Sequence, residues 1–182
     1  MFTIPVDEQI QLALLEKHHA ARLFELTDAA RPYLSEWLPW VDHTKTVSDS
    51  EGFIDFGLKQ FANNNGFQLG IVFNGEIVGC IGLHYIHWGN KITSIGYWLG
   101  EGYQGHGIMT RATKALMAYC FEELDLNRIE IRVVPANAKS RAIPERLHFT
   151  VEGTLRHNEL LNGTFYDHNV YSMLKHEWEA MK

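Results

Sequence analysis

The sequence predicts an α/β (α+β) fold in which a mixed, mostly antiparallel central sheet is flanked by helices. Three observations predict it. Stretches with strand periodicity and stretches with helical periodicity alternate along the chain, an Asn-Gly turn joins two strands, and a glycine-rich loop separates a later strand from a helix. The expected order is β-α-α-β-β-β-α-β-α-β-β, and we expect residues 1–182 to form a single domain, because no repeat or linker divides them.

The first elements are predicted to be one strand and two helices. Residues 10–14 alternate as a strand does, and residues 18–30 have helical apolar spacing up to Pro32, which ends the helix. A second helix is expected to begin at a capping-box pair, Ser48 and Glu51.

The connection between these helices is rich in tryptophan. We interpret Trp37, Pro39 and Trp40 as packing in the corner between the two helices, with the lining of a substrate pocket as the alternative. Trp37, Trp40 and Trp88 are also candidates for an interface or for flanking the substrate cleft.

The clearest local signal is a β-hairpin in the middle of the chain. Strands at residues 68–73 and 76–81 flank Asn74-Gly75, which is the favoured two-residue turn. A further strand at 92–99 is rich in β-branched and aromatic residues. The remaining elements are predicted as a helix at 108–124, a strand at 128–133, a shorter helix at 140–147, and strands at 151–155 and 165–175.

Composition argues against several classes of function. A net charge of −6 disfavours broad binding to nucleic acid, and no stretch approaches the roughly 20 apolar residues that span a membrane. With no signal-peptide pattern at the N-terminus, we expect a cytoplasmic protein without a membrane partner. Cys80 and Cys120 are interpreted as buried thiols. No metal site is expected, because His84 and His87 would point to opposite faces of a continuous strand.

The glycine-rich loop lies between a predicted strand and a predicted helix. Gly100, Gly102, Gly105 and Gly107 would leave backbone N–H groups free at the positive end of the helix, an arrangement that binds phosphate. A bare turn is the alternative. The P-loop pattern fails because Ile108 follows Gly107, and a dinucleotide fingerprint is poor because the loop follows an antiparallel hairpin.

The loop Gln104-Gly105-His106-Gly107 resembles the pyrophosphate loop of the GNAT acetyltransferases, whose pattern is Arg/Gln-x-x-Gly-x-Gly/Ala. Met109 departs from the last position of that pattern. The resemblance covers nearly the whole chain and is weakest before about residue 67. It is most similar to the RimJ/RimL type, the ribosomal-protein N-terminal acetyltransferases, with His148 where glycine is usual. It continues through Tyr97-Trp98-Leu99, Leu126–Glu130, Asn137–Ser140, Ile143–Phe149, Glu152–Arg156, Glu159, Asn162-Gly163 and Asp167-His168.

The resemblance implies that acetyl-coenzyme A is the cosubstrate. It implies that residues 104–109 (Gln104, Gly105, His106, Gly107, Ile108 and Met109) bind the pyrophosphate, and that the backbone of Tyr97, Trp98 and Leu99 runs beside the pantetheine. Arg111 and Lys114 follow the loop on the predicted helix and are candidates for holding the anionic groups of the cofactor. The alternative is that both are ordinary surface charges.

The resemblance also implies roles at the reacting end. Asn137 would contact the pantetheine arm, Ser140 would hydrogen-bond or protonate the departing sulfur, and Glu159 would receive the amine proton. From the residues alone, Asn137 also suits a turn, Ser140 a helix N-cap, and Glu159 a solvated position before a turn. Tyr166, Asp167 and His168 are further candidates near the amine.

The implied activity is direct acetyl transfer, in a ternary complex, to an amine such as the N-terminal α-amino group of a ribosomal protein. The family also makes a homo-oligomer plausible. A small-amine acetyltransferase acting on a polyamine or an antibiotic, and a non-catalytic coenzyme A-binding protein, are the alternative functions.

Overall fold

The structure is a computed structural model that describes residues 1–182. Its strands are β1 (Thr3–Pro5), β2 (Ile10–Leu14), β3 (Phe67–Phe73), β4 (Glu76–His87), β5 (Ile92–Leu99), β6 (Arg128–Val133), β7 (Thr150–Leu161) and β8 (Thr164–Leu174). They form one eight-stranded sheet in the order β1-β2-β3-β4-β5-β6-β8-β7. Neighbouring strands are antiparallel except for β5 and β6, which are parallel. The predicted fold class is therefore confirmed, and β1 is a strand that the sequence analysis missed.

Helices cover both faces of the sheet. They are α1 (Ala20–Ala29), α2 (Arg31–Leu34), α3 (Val47–Ala62), α4 (Ile108–Glu122), α5 (Ala138–Arg146) and α6 (Lys175–Ala180). Single 3-10 turns lie at Lys17–His19, Pro39–His43 and Glu101–Tyr103. None of the helices combines the length and the apolar character that a membrane crossing requires.

Two apolar clusters hold these layers together. One contains Leu116 of α4 and Ile81 of β4, and the other contains Leu23 of α1 and Cys80 of β4. Successive strand residues point to opposite faces of a sheet. Because Cys80 and Ile81 are neighbours, α4 packs on one face of the sheet, while α1 and α3 cover the other.

The central hairpin forms as predicted. Asn74 and Gly75 have φ angles of 49° and 88°, so both central residues are in the left-handed region that a tight hairpin turn of this type requires. A second Asn-Gly pair, Asn162 and Gly163, has φ angles of 51° and 78° and joins β7 to β8.

Strand β7 is longer than predicted. It extends from Thr150 to Leu161, whereas the sequence pattern indicated only residues 151–155. Most of its residues are exposed, and its pairing with β8 shifts between Leu155 and Glu159. A strand that is exposed on both faces has no alternation of apolar and polar residues, so the sequence did not indicate the full length of β7.

The predicted cap of the second helix was wrong. Thr46, and not Ser48, is the N-cap of α3: its side chain accepts a hydrogen bond from the backbone N–H of Asp49. The Asp49 carboxylate in turn accepts from the N–H of Thr46 at 2.9 Å. Helix α3 therefore begins at Val47, and a Thr-x-x-Asp pair takes the place of the expected Ser-x-x-Glu pair.

This correction predicts a difference between two similar substitutions. Thr46→Ala removes the cap and should lower the free energy of unfolding by about 1 kcal/mol. Ser48→Ala is the matched control and should change it by less than about 0.5 kcal/mol, because Ser48 is exposed within the first turn. Urea denaturation of both variants checks this, and an equal loss in the two would contradict the assignment.

Candidate active site

Strands β5 and β6 separate along their length, and the separation opens the sheet. They pair only from Ile92 to Ser94, with Arg128 to Glu130. Beyond Ser94, β5 continues to pair with β4, and β6 continues to pair with β8. A wedge-shaped gap between the two strands results, with unpaired backbone on both sides.

The unpaired backbone of β5 offers donors to this gap. The N–H of Gly100 donates to Val78 on β4 at 2.8 Å. Because N–H groups alternate in direction along a strand, those of Trp98 and Gly96 also face β4, and those of Tyr97 and Leu99 face the gap. An extended ligand with carbonyl groups can therefore lie there as an added strand would.

The glycine-rich loop ends directly at helix α4, close to the gap. Gly105 and Gly107 have φ angles of 81° and 67°, which only glycine adopts without strain. Gly107 is the N-cap of α4, and no side chain caps that helix. The backbone N–H groups of residues 105–110 donate no hydrogen bond within the protein. This loop presents the free N–H groups at a helix N-terminus that bind phosphate.

Side chains hold the loop from two directions. The Gln104 amide donates to the Tyr33 hydroxyl and accepts from Lys139 Nζ at 2.9 Å, which joins the loop to α2 and α5. Arg111 contacts Asp7 at 2.7 Å and also donates to the carbonyl of His106 at 3.2 Å. Of the two basic candidates on α4, Arg111 thus braces the loop, while Lys114 is simply exposed.

A cavity of about 930 Å³ connects the loop with the gap between the strands. Its charged lining consists of Arg111, Lys139 and Arg146 against one carboxylate, Glu36. An elongated ligand that is anionic at one end fits this combination of free N–H groups and cations. Of the predicted cofactor-binding residues, His106 alone does not line this cavity; those that do are Tyr97, Trp98, Leu99, Gln104, Gly105, Gly107, Ile108, Met109, Asn137 and Ser140.

A second cavity, of about 660 Å³, lies beside the first, between the sheet and the α1–α3 layer. Six residues line both cavities: Trp37, Leu38, Tyr97, Trp98, Asn137 and Ser140. These residues mark the point where ligands in the two cavities would meet. Glu159 lines the second cavity only.

Asn137 and Ser140 meet at the start of α5, and the predicted cap has to be corrected. Asn137 is the N-cap, and its side-chain oxygen accepts from the N–H of Ser140 at 3.3 Å. Ser140 is therefore inside the helix, and its hydroxyl is not used as a cap. The Tyr97 hydroxyl donates to the Ser140 carbonyl at 2.8 Å, and burial raises the pKa of Tyr97, which keeps it a donor.

Glu159 is not a free surface charge. Its Oε2 lies 2.8 Å from Nε2 of His168, and Nδ1 of His168 lies 2.8 Å from the side-chain amide of Asn158. All of these residues line the second cavity. The Glu159 side chain is 25% exposed and that of His168 is 15% exposed. The sequence analysis found Glu159 and His168 only through the resemblance, and it missed Asn158.

In the tryptophan-rich connection, the structure favours the alternative interpretation, the lining of a pocket, over packing between the two helices. Trp37, Pro39 and Trp40 all line the second cavity. The Trp40 ring lies 5.7 Å from that of Trp98, and the Trp37 ring lies 6.0 Å from that of Tyr166. These contacts connect the loop to β5 and β8, which explains why a local pattern could not reveal them.

The two thiols are buried, as predicted. Cys120 lies in the core, whereas Cys80 also lines the second cavity. Burial raises the pKa of Cys80 to about 12, so at neutral pH it is a thiol and not a nucleophilic thiolate. The cavity therefore offers no reactive sulfur to carry an acyl group.

His84 is a lining residue of the second cavity that the sequence analysis considered only as a metal ligand, and rejected as one. Its ring lies over Gly96, where any added Cβ would meet Nε2 at 2.2 Å, and Nδ1 lies 3.3 Å from the Ser94 hydroxyl. Solvent reaches the ring through the cavity. Desolvation by the surrounding protein, followed by repulsion from Arg132, nevertheless lowers the pKa of His84 and favours its neutral form.

Comparison with known proteins gives the class that this geometry suggests. Residues 9–150 match the family model of the acetyltransferase (GNAT) domain. The chain belongs to the GNAT family, and it is an N-acetyltransferase that uses acetyl-coenzyme A as its cosubstrate. The predicted family, enzyme class and cosubstrate are confirmed.

Individual relatives refine this class. The chain is 39% identical, over 100% of both chains, to YdaF of Bacillus subtilis (strain 168), which carries the name "putative ribosomal N-acetyltransferase". It also superposes on a structure of RimL, a ribosomal L7/L12 α-N-protein acetyltransferase in complex with coenzyme A. That pair has a TM-score of 0.92 and 28% identity, and the match covers 95% of this chain and 98% of the other.

A third relative has a different name and a different biological context. It is the microcin C7 self-immunity acetyltransferase MccE, in complex with acetyl-coenzyme A and AMP. The TM-score is 0.89 at 32% identity, with 93% of this chain and 94% of the other covered.

Proposed function

We propose that the acceptor is the α-amino group of a protein N-terminus, such as that of a ribosomal protein. The second cavity would hold this acceptor, and we call it the acceptor cavity. The observation that carries the proposal is the charge of the residues that line it. Its lining contains a single carboxylate, Glu159, and one permanent cation, Arg132. One carboxylate in a wall that is otherwise polar, apolar or cationic suits a substrate with a single amine.

The same observation argues against a polyamine. A polycation needs several carboxylates, because each ammonium group that leaves water requires compensation. Arg132 is itself held by Glu130 at 3.1 Å and adds a positive charge to the wall. The name of the structural relative RimL, an α-N-protein acetyltransferase, supports the peptide acceptor.

The larger cavity, the cofactor cavity, holds the cosubstrate in this proposal. The free N–H groups of residues 105–110 bind the pyrophosphate, helped by Lys139 and Arg146, and the gap between β5 and β6 receives the pantetheine beside Tyr97 and Leu99. An N–H from this part of β5 donates to the thioester oxygen and stabilises the negative charge that develops there.

Glu159, in the wall of the acceptor cavity, removes a proton from the ammonium form of the acceptor. The neutral nitrogen attacks the thioester carbon, a C–N bond forms, and the C–S bond breaks. Ser140 gives a proton to the departing sulfur, and the attacking nitrogen gives its proton to Ser140 in exchange. Transfer is direct within a ternary complex in this proposal, because the one thiol that lines the acceptor cavity, Cys80, is buried.

A comparison of acceptors tests the proposal. The probes are a peptide with a free N-terminal serine, the same peptide with that amine blocked, and spermidine, with thiol release as the signal. We expect saturable turnover with the free peptide alone and, by mass spectrometry, acetyl on its α-nitrogen. A higher kcat/KM for spermidine would overturn the proposal, and thiol release from none of them would favour a non-catalytic coenzyme A-binding protein.

Two further expectations stay predictions from the sequence and its resemblance. They are the homo-oligomeric state and the cytoplasmic location.

A further inference from the structure

The β7–β8 hairpin contains an irregularity at the site. Leu155 pairs with His168, and the next regular pair is Glu159 with Tyr166. Residues 156–158 therefore form a bulge in β7, and within it His157 has a φ of 48°, in the left-handed region. Bulges of this kind change the direction in which the following side chains point, and they occur often beside active sites.

The bulge brings two consecutive side chains to one cavity. In a regular strand, Asn158 and Glu159 would point to opposite faces of the sheet. Here both line the acceptor cavity, and both contact the same ring, that of His168. The backbone N–H of His157 donates to the Asp167 carboxylate at 2.8 Å, so the residue before His168 holds the bulge itself.

The arrangement of hydrogen-bonding groups also favours one tautomer of the neutral His168 ring. The side-chain NH₂ of Asn158 is a donor only, so Nδ1 of His168 must accept from it. The proton of the neutral ring is then on Nε2, which donates to Oε2 of Glu159 at 2.8 Å. One carboxylate oxygen is occupied in this way, and Oε1 is left for the acceptor amine or for a water molecule next to it.

We propose that His168 is a positioning residue for Glu159, with Asn158 selecting the tautomer that His168 needs for this task. This inference rests on the proposed role of Glu159 as the base. His168 touches neither substrate in this proposal; it holds the carboxylate in one orientation and contributes through it. Small misplacements of a catalytic group have large kinetic costs, so loss of the His168 donor should be visible in kcat.

Two substitutions at one position separate a donor from a packing role. His168→Gln retains an N–H that reaches Glu159, whereas His168→Phe keeps a flat ring and removes the donor. With acetyl-coenzyme A and a peptide that has a free N-terminal serine, we expect His168→Phe to lower kcat roughly 10- to 100-fold. His168→Gln should recover most of that loss. A Phe variant that works better than the Gln variant would overturn the proposal.

A double-variant cycle tests whether His168 acts through Glu159. In a Glu159→Gln background, His168→Phe should have almost no further effect on kcat, because residues that act as a unit are not additive. Losses that multiply would show an independent role and overturn the positioning role. Calorimetric affinity for acetyl-coenzyme A should be the same in all variants, which checks the fold.

The cycle also distinguishes a failure of the positioning role from a failure of the base assignment. If Glu159→Gln lowers kcat and both His168 variants work normally, the positioning role is wrong and the base assignment stands. If Glu159→Gln alone has normal kcat, the base assignment is wrong, and the positioning role fails with it.

Discussion

Replacing Gly107 with glutamate should weaken acetyl-coenzyme A binding by at least about 100-fold, which corresponds to about 2.7 kcal/mol. Gly107 is the N-cap of α4, and the adjacent N–H groups have no partner within the protein. A carboxylate at this position would repel the phosphates and also compete for the same donors. Isothermal titration with acetyl-coenzyme A measures the loss.

The fold should tolerate this substitution. No atom lies within 4 Å of the Cβ that a side chain would add at Gly107, so the cost comes mainly from a φ of 67°. That cost is about 1–2 kcal/mol, which corresponds to a fall in Tm of only a few degrees in a chain of this length.

A matched control lies in the same loop. Gly102 also has open space around its Cβ position, its φ is not in the left-handed region, and it does not line the cofactor cavity. Gly102→Glu adds the same charge and should retain an affinity close to that of the wild type. Gly107→Asn adds no charge and tolerates the left-handed conformation, so it should fall between the two. Wild-type affinity in Gly107→Glu would show that the phosphates bind elsewhere.

Local signals predicted most of the sheet and the loop. Asn74-Gly75 fixes a hairpin through its own backbone preferences, and the apolar stripe of α4 needs no distant partner to be recognised. Strand β1 was not predicted, because a strand of three residues is too short to show a periodic pattern. The cap of α3 was misplaced because Thr46 and Ser48 are both good N-cap residues, and only the extended backbone of Thr46 decides between them.

The acceptor cavity was harder to predict than the cofactor loop for a physical reason. The proposed phosphate-binding groups are backbone N–H groups of one short segment, so their arrangement can be read from the spacing of glycines. The acceptor cavity joins Trp37, His84, Asn158 and His168, which come from separate elements. Asn158 and Glu159 reach the same cavity only because of a bulge, and no residue pattern in β7 indicated it.

Replacing Glu159 with glutamine should lower kcat about 100-fold or more at pH 7, within the range that general base catalysis contributes. The change keeps the shape of the side chain and removes its ability to accept the proton of the acceptor ammonium. Glu159 lines the acceptor cavity and not the cofactor cavity, so the affinity for acetyl-coenzyme A should be unchanged. Glu51→Gln, which removes the same charge from an exposed position on α3, is the control and should have wild-type kcat.

The size of this defect should depend on pH in one direction. A free α-amino group has a pKa of about 7.7–8.0, so at pH 7 most of the acceptor arrives as ammonium and needs a base. At pH 9 most of it is already the neutral amine, and the base has less to contribute. The ratio of wild-type to Glu159→Gln activity should therefore fall steadily from pH 7 to pH 9. A ratio that stays constant over this range would mean that Glu159 binds the acceptor and does not take its proton, while equal rates at pH 7 would remove it from the reaction.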